Sequence, residues 1–389
     1  MVTKIVKITG YGSGGEGVGR LEDGRVTFIR GAAQGDVLEI SLIKEQKRSA
    51  WAEIVRIIEP SPHRIESECP HFPKCGGCDF QHITYEEEVR AKLKRINDAM
   101  KRIAGLEIKA EEMLRTGQTG GYRNKAIFHA NDTELGFYRA GTNEIVPISY
   151  CLLLKDDINA ELKKMLAGKS EKLKNKPQNR DSISGANKTS KHKITLRSGI
   201  HGQSAQLEEK LDGLIFGISG FFQVNTTATL LLYKKAREYA ALTKSETMVD
   251  LYCGVGTMTI FVGRDAGMAI GVEQNKEAVK TARKNAHRNG FDNINFICED
   301  AGLWDYSAAN KKSTERVDCV IVNPPRKGLS KKAIERILSL SPGRIVYVSC
   351  DPATLARDIS RLSGYKAKQL CAIDMFPRTA NVECCCLLV

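Results

Sequence analysis

Residues 247–257 read TMVDLYCGVGT, and the fold turns on how this stretch is read. An unbroken apolar run ends in a glycine-rich turn, as a buried parallel strand does where it hands over to a helix. The same rhythm recurs in MAIGVE (268–273), NINFICED (293–300), DCVIVNPP (318–325), RIVYVSC (344–350) and VECCCLLV (382–389). Helical stretches such as EAVKTARKNAHRNG (277–290) and KKAIERILSL (331–340) fall between them. This alternation predicts a doubly wound, mostly parallel α/β sheet from about residue 221 onward.

In such a sheet, ligands bind beyond the carboxyl ends of the strands, where strand order reverses. Gly254 and Gly256 follow the first strand and let a ligand approach the backbone. Glu273 closes the second strand, where a carboxylate can accept hydrogen bonds from ribose hydroxyls. Asp300 ends the third strand, within reach of an adenine edge, and Asn323 ends the fourth, where a bound nucleobase would react. Each alone could be a strand-end cap. Together, in register, they favour S-adenosylmethionine over a nicotinamide dinucleotide, whose fingerprint wants a third small residue where Thr259 stands.

Upstream, KIVKITGY (4–11), GVGRLE (17–22), RVTFIR (25–30), DVLEISLI (36–43) and SAWAEIVRII (49–58) read as short strands. Asp23-Gly24 joins two of them as a hairpin turn. Five strands in so few residues predict a small barrel, a form that nucleic-acid binders use. Gly12, Gly14 and Gly17 spell GxGxxG by chance, since a hairpin and no helix follows. Residues 84–104 predict an amphipathic helix, with Thr84 and Glu87 as a capping box and Val89, Leu93, Ile96, Met100 and Ile103 as its apolar stripe. Between 163 and 193, ten Lys and Arg stand against Glu171 and Asp181, which predicts a solvated, mobile insertion.

The formal charge of +13 points to a polyanionic partner or to simple solubility. No apolar run approaches the roughly 20 residues a bilayer crossing needs. The first residues alternate and form no signal-peptide core, which places the protein in the cytoplasm, away from membranes. Twelve cysteines in such a chain are ligands, nucleophiles or packing residues and not disulfides. Cys69, Cys75 and Cys78 sit in CPHFPKCGGC (69–78), and Cys151 is next in sequence. Four thiolates suit zinc or an iron-sulfur cluster, and spacing does not separate the two. Cys350 lies where a strand runs into the helix PATLARD (352–358); a helix N-terminus lends a thiol thiolate character, although cysteines are also common core fillers. Cys253, Cys298, Cys319 and Cys371 read as packing residues, and Cys384 to Cys386 as strand positions on alternating faces.

FFQVN (221–225), DLYCGVGT, GVE, VNPPRKG (322–328), YVSCDPATLARD (347–358) and DMFPRTANVE (374–383) resemble, in order, motifs of the bacterial uracil-5 RNA methyltransferases. The resemblance spans nearly the whole chain apart from the Lys-rich insertion. It implies a Rossmann-like class I methyltransferase sheet, an N-terminal TRAM barrel and a central α+β iron-sulfur domain. The segments would be 1–59 for the barrel, 60–82 with 115–215 for the central domain, and 83–114 with 216–389 for the catalytic domain. By position it implies Cys350 as the nucleophile that adds to uracil carbon 6 and Glu383 as the base that takes the carbon-5 proton. Alkylating a carbon that is not itself nucleophilic requires such a pair. It further implies Gln223, Tyr252, Gly254, Gly256, Glu273, Asp300 and Asn323 around S-adenosylmethionine and the uracil. Cys69, Cys75, Cys78 and Cys151 would hold a [4Fe-4S] cluster, and Arg123 in GYRNKA would touch RNA. TRAM and cluster motifs together favour 23S rRNA over tRNA as partner, acted on by a monomer. The chain departs from the family at Asn381, commonly His, and at Thr257, Asn in some members. An adenine amino-methyltransferase, suggested by NPPR, would leave Cys350 without a role; a non-catalytic RNA binder would leave the cofactor residues without one.

Overall fold

The computed structural model describes residues 3–131, 133–174, 192–198, 208–218, 222–306 and 316–389. The chain divides into two units. One comprises Met1–Ala91, Gln118–Gly199 and Phe376–Ala380; the other comprises Lys92–Gly117, Ile200–Met375 and Asn381–Val389.

In the first unit, alternation of inward apolar and outward polar residues closes β1 (Thr3–Tyr11), β2 (Gly17–Arg20), β3 (Val26–Ile29), β4 (Val37–Glu45) and β5 (Ser49–Glu59) into a barrel of order β1-β2-β3-β5-β4. Val6, Ile8, Leu21, Ile29, Leu38, Ile40, Ala50 and Ala52 fill it, the larger ones worth about 1.5–3 kcal/mol each. The Asp23-Gly24 turn forms as expected: Gly24 has φ +83° and Asp23 Oδ1 accepts from Arg25 N at 3.0 Å. Buried Asp36 closes one end, taking Arg64 Nε and Nη2 at 2.8 and 2.7 Å. A second sheet of order β10-β7-β8-β9 is built from β7 (Lys125–Ala130), β8 (Leu135–Tyr138), β9 (Ile145–Pro147) and β10 (His192–Arg197), with α2 (Asp156–Lys174), which lies between β9 and β10 in sequence, in the same core. The first part of the Lys-rich stretch is thus helix and not loop; residues 175–191 of it lie outside the described residues.

Helix α1 (Tyr85–Ile103) begins where the sequence places it, but the box is half made. Glu87 N donates to Thr84 Oγ1 at 3.4 Å, while the Glu87 carboxylate turns to Arg90 at 2.7 Å instead of reaching back. The stripe is buried through Val89, Ile96 and Met100, and Ile103 is exposed.

The second unit carries an eight-stranded sheet of order β15-β14-β13-β16-β17-β19-β18-β6. Its strands are β6 (Met113–Leu114), β13 (Thr247–Leu251), β14 (Met268–Glu273), β15 (Ile294–Cys298), β16 (Cys319–Val322), β17 (Arg344–Ser349), β18 (Ala367–Ile373) and β19 (Glu383–Leu388). The pairings from β15 to β17 are parallel, and β19 enters antiparallel between β17 and β18. Strand order reverses at β13, flanked by β14 on one side and β16 on the other, so a crevice opens beyond its carboxyl end. Helices α3 (Thr226–Ala240), α5 (Lys276–Arg288), α6 (Lys331–Leu340) and α7 (Pro352–Ile359) start from Asn225, Asn275, Ser330 and Asp351, each accepting a backbone N–H of the first turn. A hairpin of β11 (Glu208–Leu211) and β12 (Leu214–Gly217) completes the described strands of this unit. No described helix is long and apolar enough to cross a membrane.

Candidate active site and cysteine centre

At the carboxyl end of β13 the chain makes a tight turn into α4 (Thr257–Gly263). Tyr252, Gly254 and Gly256 have φ of +71°, +56° and +80°. The two glycines serve different ends. Among the described residues, no atom lies within 4 Å of where a Gly254 Cβ would sit, so its face is open to a ligand. A Cβ on Gly256 would meet Phe296 at 2.6 Å, so this glycine lets helix and strand pack. Glu273 binds the turn from the next strand, accepting from Gly254 N at 3.2 Å and from Asn275 N at 2.8 Å. Tyr252 lies within the field of Asp300, whose Oδ1 accepts from Gly302 N at 2.8 Å. Asn323 is half-buried at the end of β16, and Gln223 is buried just before α3. Thr257 turns its hydroxyl to Tyr233 Oη at 2.7 Å. Beneath the turn, Asp250 is fully buried, takes Thr259 Oγ1 at 2.6 Å, and has its pKa pushed up to about 7 by that burial.

Register brings Cys350 and Glu383 together. Ser349 pairs with Cys384 across β17 and β19, so the residue after the first and the residue before the second leave the same end of adjacent strands. Burial raises the pKa of both: Glu383 reaches about 8, and Cys350 is lifted further by the Glu383 and Asp351 charges. The expected helix-terminal activation of Cys350 is therefore outweighed. Asp351 Oδ1 already takes the Ala353 and Thr354 N–H groups at 2.9 Å each, so the positive end of α7 is spent on a carboxylate. The cation that favours both anions is Arg326, inside the quoted motif but unread as a site residue. Its Nη2 donates to Asn381 Oδ1 at 3.1 Å.

Asp358 was also missed. Fully buried, it accepts from Leu329 N at 2.7 Å and from Tyr347 Oη at 2.8 Å, and pairs with Arg357 at 2.8 Å. It therefore ties the Asn323–Leu329 loop to the helix behind Cys350. A sequence signal existed: a carboxylate closing an apolar helical turn is seldom buried without partners to hold.

The first unit gathers Cys69, Cys75, Cys78 and Cys151 around one cavity of about 220 Å³, which Arg123, His71, His129, Tyr138 and Tyr150 also line. Arg30 fastens the loop, donating to the Cys75 and Cys78 carbonyls at 3.1 and 2.7 Å. Asn159 holds Cys151 from both sides at 3.0 Å. Burial, foremost, and the neighbouring thiols raise the pKa of Cys75, Cys78 and Cys151, Cys78 to about 12, while Arg123 pulls Cys78 and Cys151 down. Arg123, expected at RNA, lines this cavity, and among the described residues its buried Nε has no hydrogen-bond partner. Among the described residues, no group of three or more Cys, His, Asp or Glu side chains converges on one metal ion. Of the remaining cysteines, Cys253, Cys319, Cys371 and Cys384–Cys386 are buried, but Cys298 is exposed on edge strand β15.

Residues 94–389 match the family model described as tRNA (Uracil-5-)-methyltransferase. The chain belongs to this uracil-5 RNA methyltransferase family. It is an enzyme that methylates RNA uracil at carbon 5 with S-adenosylmethionine as donor. Residues 3–55 match the TRAM domain, which covers the barrel. An RNA methyltransferase of Caldanaerobacter subterraneus is 33% identical, over 97% of this chain and 96% of the relative. One from Clostridium tetani is 31% identical, over 97% and 94%. The Pyrococcus abyssi tRNA (uracil-54, C5)-methyltransferase, solved with S-adenosyl-L-homocysteine, superposes with a TM-score of 0.73 over 98% of this chain and 99% of its own; at 24% identity it shares the class I methyltransferase fold.

Proposed function

We propose that this methyltransferase acts on a uridine of 23S rRNA through Cys350 and Glu383, and that Arg326 serves both. The observation that carries the reading is the strand register, which delivers a thiol and a buried carboxyl to one end of adjacent strands, where the Arg326 guanidinium acts on both. Cys350 Sγ bonds to uracil carbon 6 and leaves carbon 5 nucleophilic. S-adenosylmethionine supplies an electrophilic methyl group. The ionised Glu383 carboxylate then takes the carbon-5 proton, the electron pair of that bond re-forms the carbon 5–carbon 6 double bond, and the carbon–sulfur bond breaks to return the thiolate. Gly254, Glu273, Tyr252 and Asp300 form the cofactor side of the crevice, with Gly256 shaping the turn beneath it; Gln223 and Asn323 form the uracil side. Arg326 steadies each anion in turn. The target uridine reaches such a pocket by flipping from its stack.

We assign Cys69, Cys75, Cys78 and Cys151 to a [4Fe-4S] cluster. Four thiols spread over a cavity wall suit a polynuclear cluster better than zinc, which draws four sulfurs to about 2.3 Å from one point. Buried thiols with raised pKa values need cationic metal to ionise, and such a cluster would act structurally and in RNA docking. Arg123 stands between these roles, as partner to the thiolates and as an RNA contact. Functionally the chain reads as a TRAM barrel, a central cluster region and a catalytic sheet.

Mass-spectrometric mapping of labelled methyl groups on unmodified rRNA and tRNA, wild type beside Cys350→Ala, tests this. Methyl on carbon 5 of 23S rRNA uridines, lost in the variant, is expected. Methyl on tRNA alone would move the substrate, and activity surviving the variant would remove Cys350 from the mechanism.

A further inference from the structure

A row of side chains crosses the outside of the barrel. Val18 pairs with Phe28, Phe28 with Trp51, and Trp51 with Lys44, on four neighbouring strands. Along β3 and β5 their neighbours Thr27, Ile29, Ala50 and Ala52 are buried, so Phe28 and Trp51 point outward and remain half-buried. The barrel core is filled without them. Their rings stack with centroids 5.4 Å apart at 28°, and Lys44 Nζ lies 5.4 Å from the Trp51 centroid. Gly12 borders Phe28, and the Glu16 carboxylate lies along the same edge.

The β4–β5 hairpin beside the pair is cationic. Lys44, Lys47 and Arg48 are exposed on the β4–β5 hairpin. The acids Asp23 and Glu45 are both paired with Arg25, at 2.7 and 2.8 Å. Aromatic faces bordered by mobile cations are what sequence-tolerant binding of unpaired nucleotides requires: every base has a π-face and every linkage a phosphate.

We propose that Phe28 and Trp51 form a stacking platform for an unpaired base of the RNA substrate, with Lys44 placed to meet the adjoining phosphate. The platform rests on RNA being the substrate. It adds a second point of attachment, on the barrel, that selects for single-stranded or looped RNA.

The chain holds two tryptophans, Trp51 and buried Trp304, so a Trp304→Phe protein reports on Trp51 alone. Full-length Trp304→Phe protein is titrated with a short oligouridylate, with a 23S rRNA fragment and with heparin. Binding is followed independently by anisotropy of the labelled polymer. Saturable quenching of Trp51 by both RNAs and not by heparin is expected. Trp51→Leu is expected to weaken oligouridylate binding about tenfold, and Lys44→Ala to weaken it less while flattening its salt dependence. RNA bound to saturation with Trp51 emission unchanged, or equal quenching by heparin, would overturn the platform; this readout needs no variant at Trp51. Methyl transfer to RNA is measured on the same protein. If transfer persists while Trp51 stays silent, the platform alone fails; if no RNA is methylated, the substrate reading fails with it.

Discussion

Arg326 donates to Asn381 at 3.1 Å, and from that position its charge favours the ionised forms of both Cys350 and Glu383. Replacing it by Gln removes the charge while keeping a donor. Both pKa values should then rise, so the pH–rate profile of methyl transfer moves to higher pH. At pH 7, single-turnover transfer should fall about 100-fold, the scale of losing one preorganised electrostatic partner. Arg326→Lys should restore part of the rate and part of the profile. An unshifted profile would separate Arg326 from the chemistry.

Glu383 is buried with its pKa raised to about 8 from an ordinary 4.5. The folded protein therefore holds this proton through a pH range in which the unfolded chain has lost it. Its contribution is fully present below about pH 4.5 and disappears as pH rises through 8. Asp250, raised to about 7, acts in the same direction over a lower window. Glu383→Gln should accordingly be more stable than wild type at pH 9, by on the order of 1–3 kcal/mol, and equal to it at pH 4. Denaturant titrations at the two pH values measure this. The same variant should accumulate a covalent RNA adduct, since the carbon-5 proton loses its acceptor.

The parallel strands β13, β14, β16 and β17 were legible because they are buried on both faces, which writes them as apolar runs. β18 was not, because Lys368 and Gln369 are exposed and break the run AKQLCAI before its buried half begins. The positions of Cys350 and Glu383 came from motif resemblance, but their shared electrostatics depend on pairing across strands and on burial, which no linear spacing encodes. Asp351 illustrates the limit. In sequence it is one more residue at a helix start; in the fold it takes the N–H groups that were expected to activate Cys350. Arg326 and Asp358 act across 55 and 29 residues on Asn381 and Leu329, and such partners have no period to reveal them.

Asp358 joins the loop that carries Arg326 to the helix behind Cys350. Asp358→Ala would strand the buried Tyr347 hydroxyl and the Leu329 N–H, each costing about 1–3 kcal/mol. A total loss of about 3 kcal/mol is expected from denaturant unfolding. Gly328→Ala should weaken the same junction, because at φ +75° an added methyl would run into the Asp358 carboxylate and the Arg357 guanidinium. Catalytic rate should fall further than cofactor affinity in both variants, since the loop they anchor carries Arg326.

Around the cysteine cavity, the thiols raise one another's pKa, and Arg123 and Arg30 offer limited compensation. Without metal, Cys75, Cys78 and Cys151 should stay protonated at neutral pH, and the cavity would depend on hydrogen bonds such as those of Arg30 and Asn159. Protein purified without oxygen should carry iron and acid-labile sulfide in a ratio near four to four per chain if the assigned cluster is present. Cys78→Ser should lose both. In that variant the first unit should become more sensitive to proteolysis, and RNA affinity should drop about tenfold, while binding of S-adenosylmethionine, which lies in the other unit, stays unchanged. Zinc in place of iron would replace the cluster with a structural ion. RNA affinity and protease resistance that survive complete metal loss would show that the cavity holds its shape by packing, and would leave the four cysteines in need of another explanation.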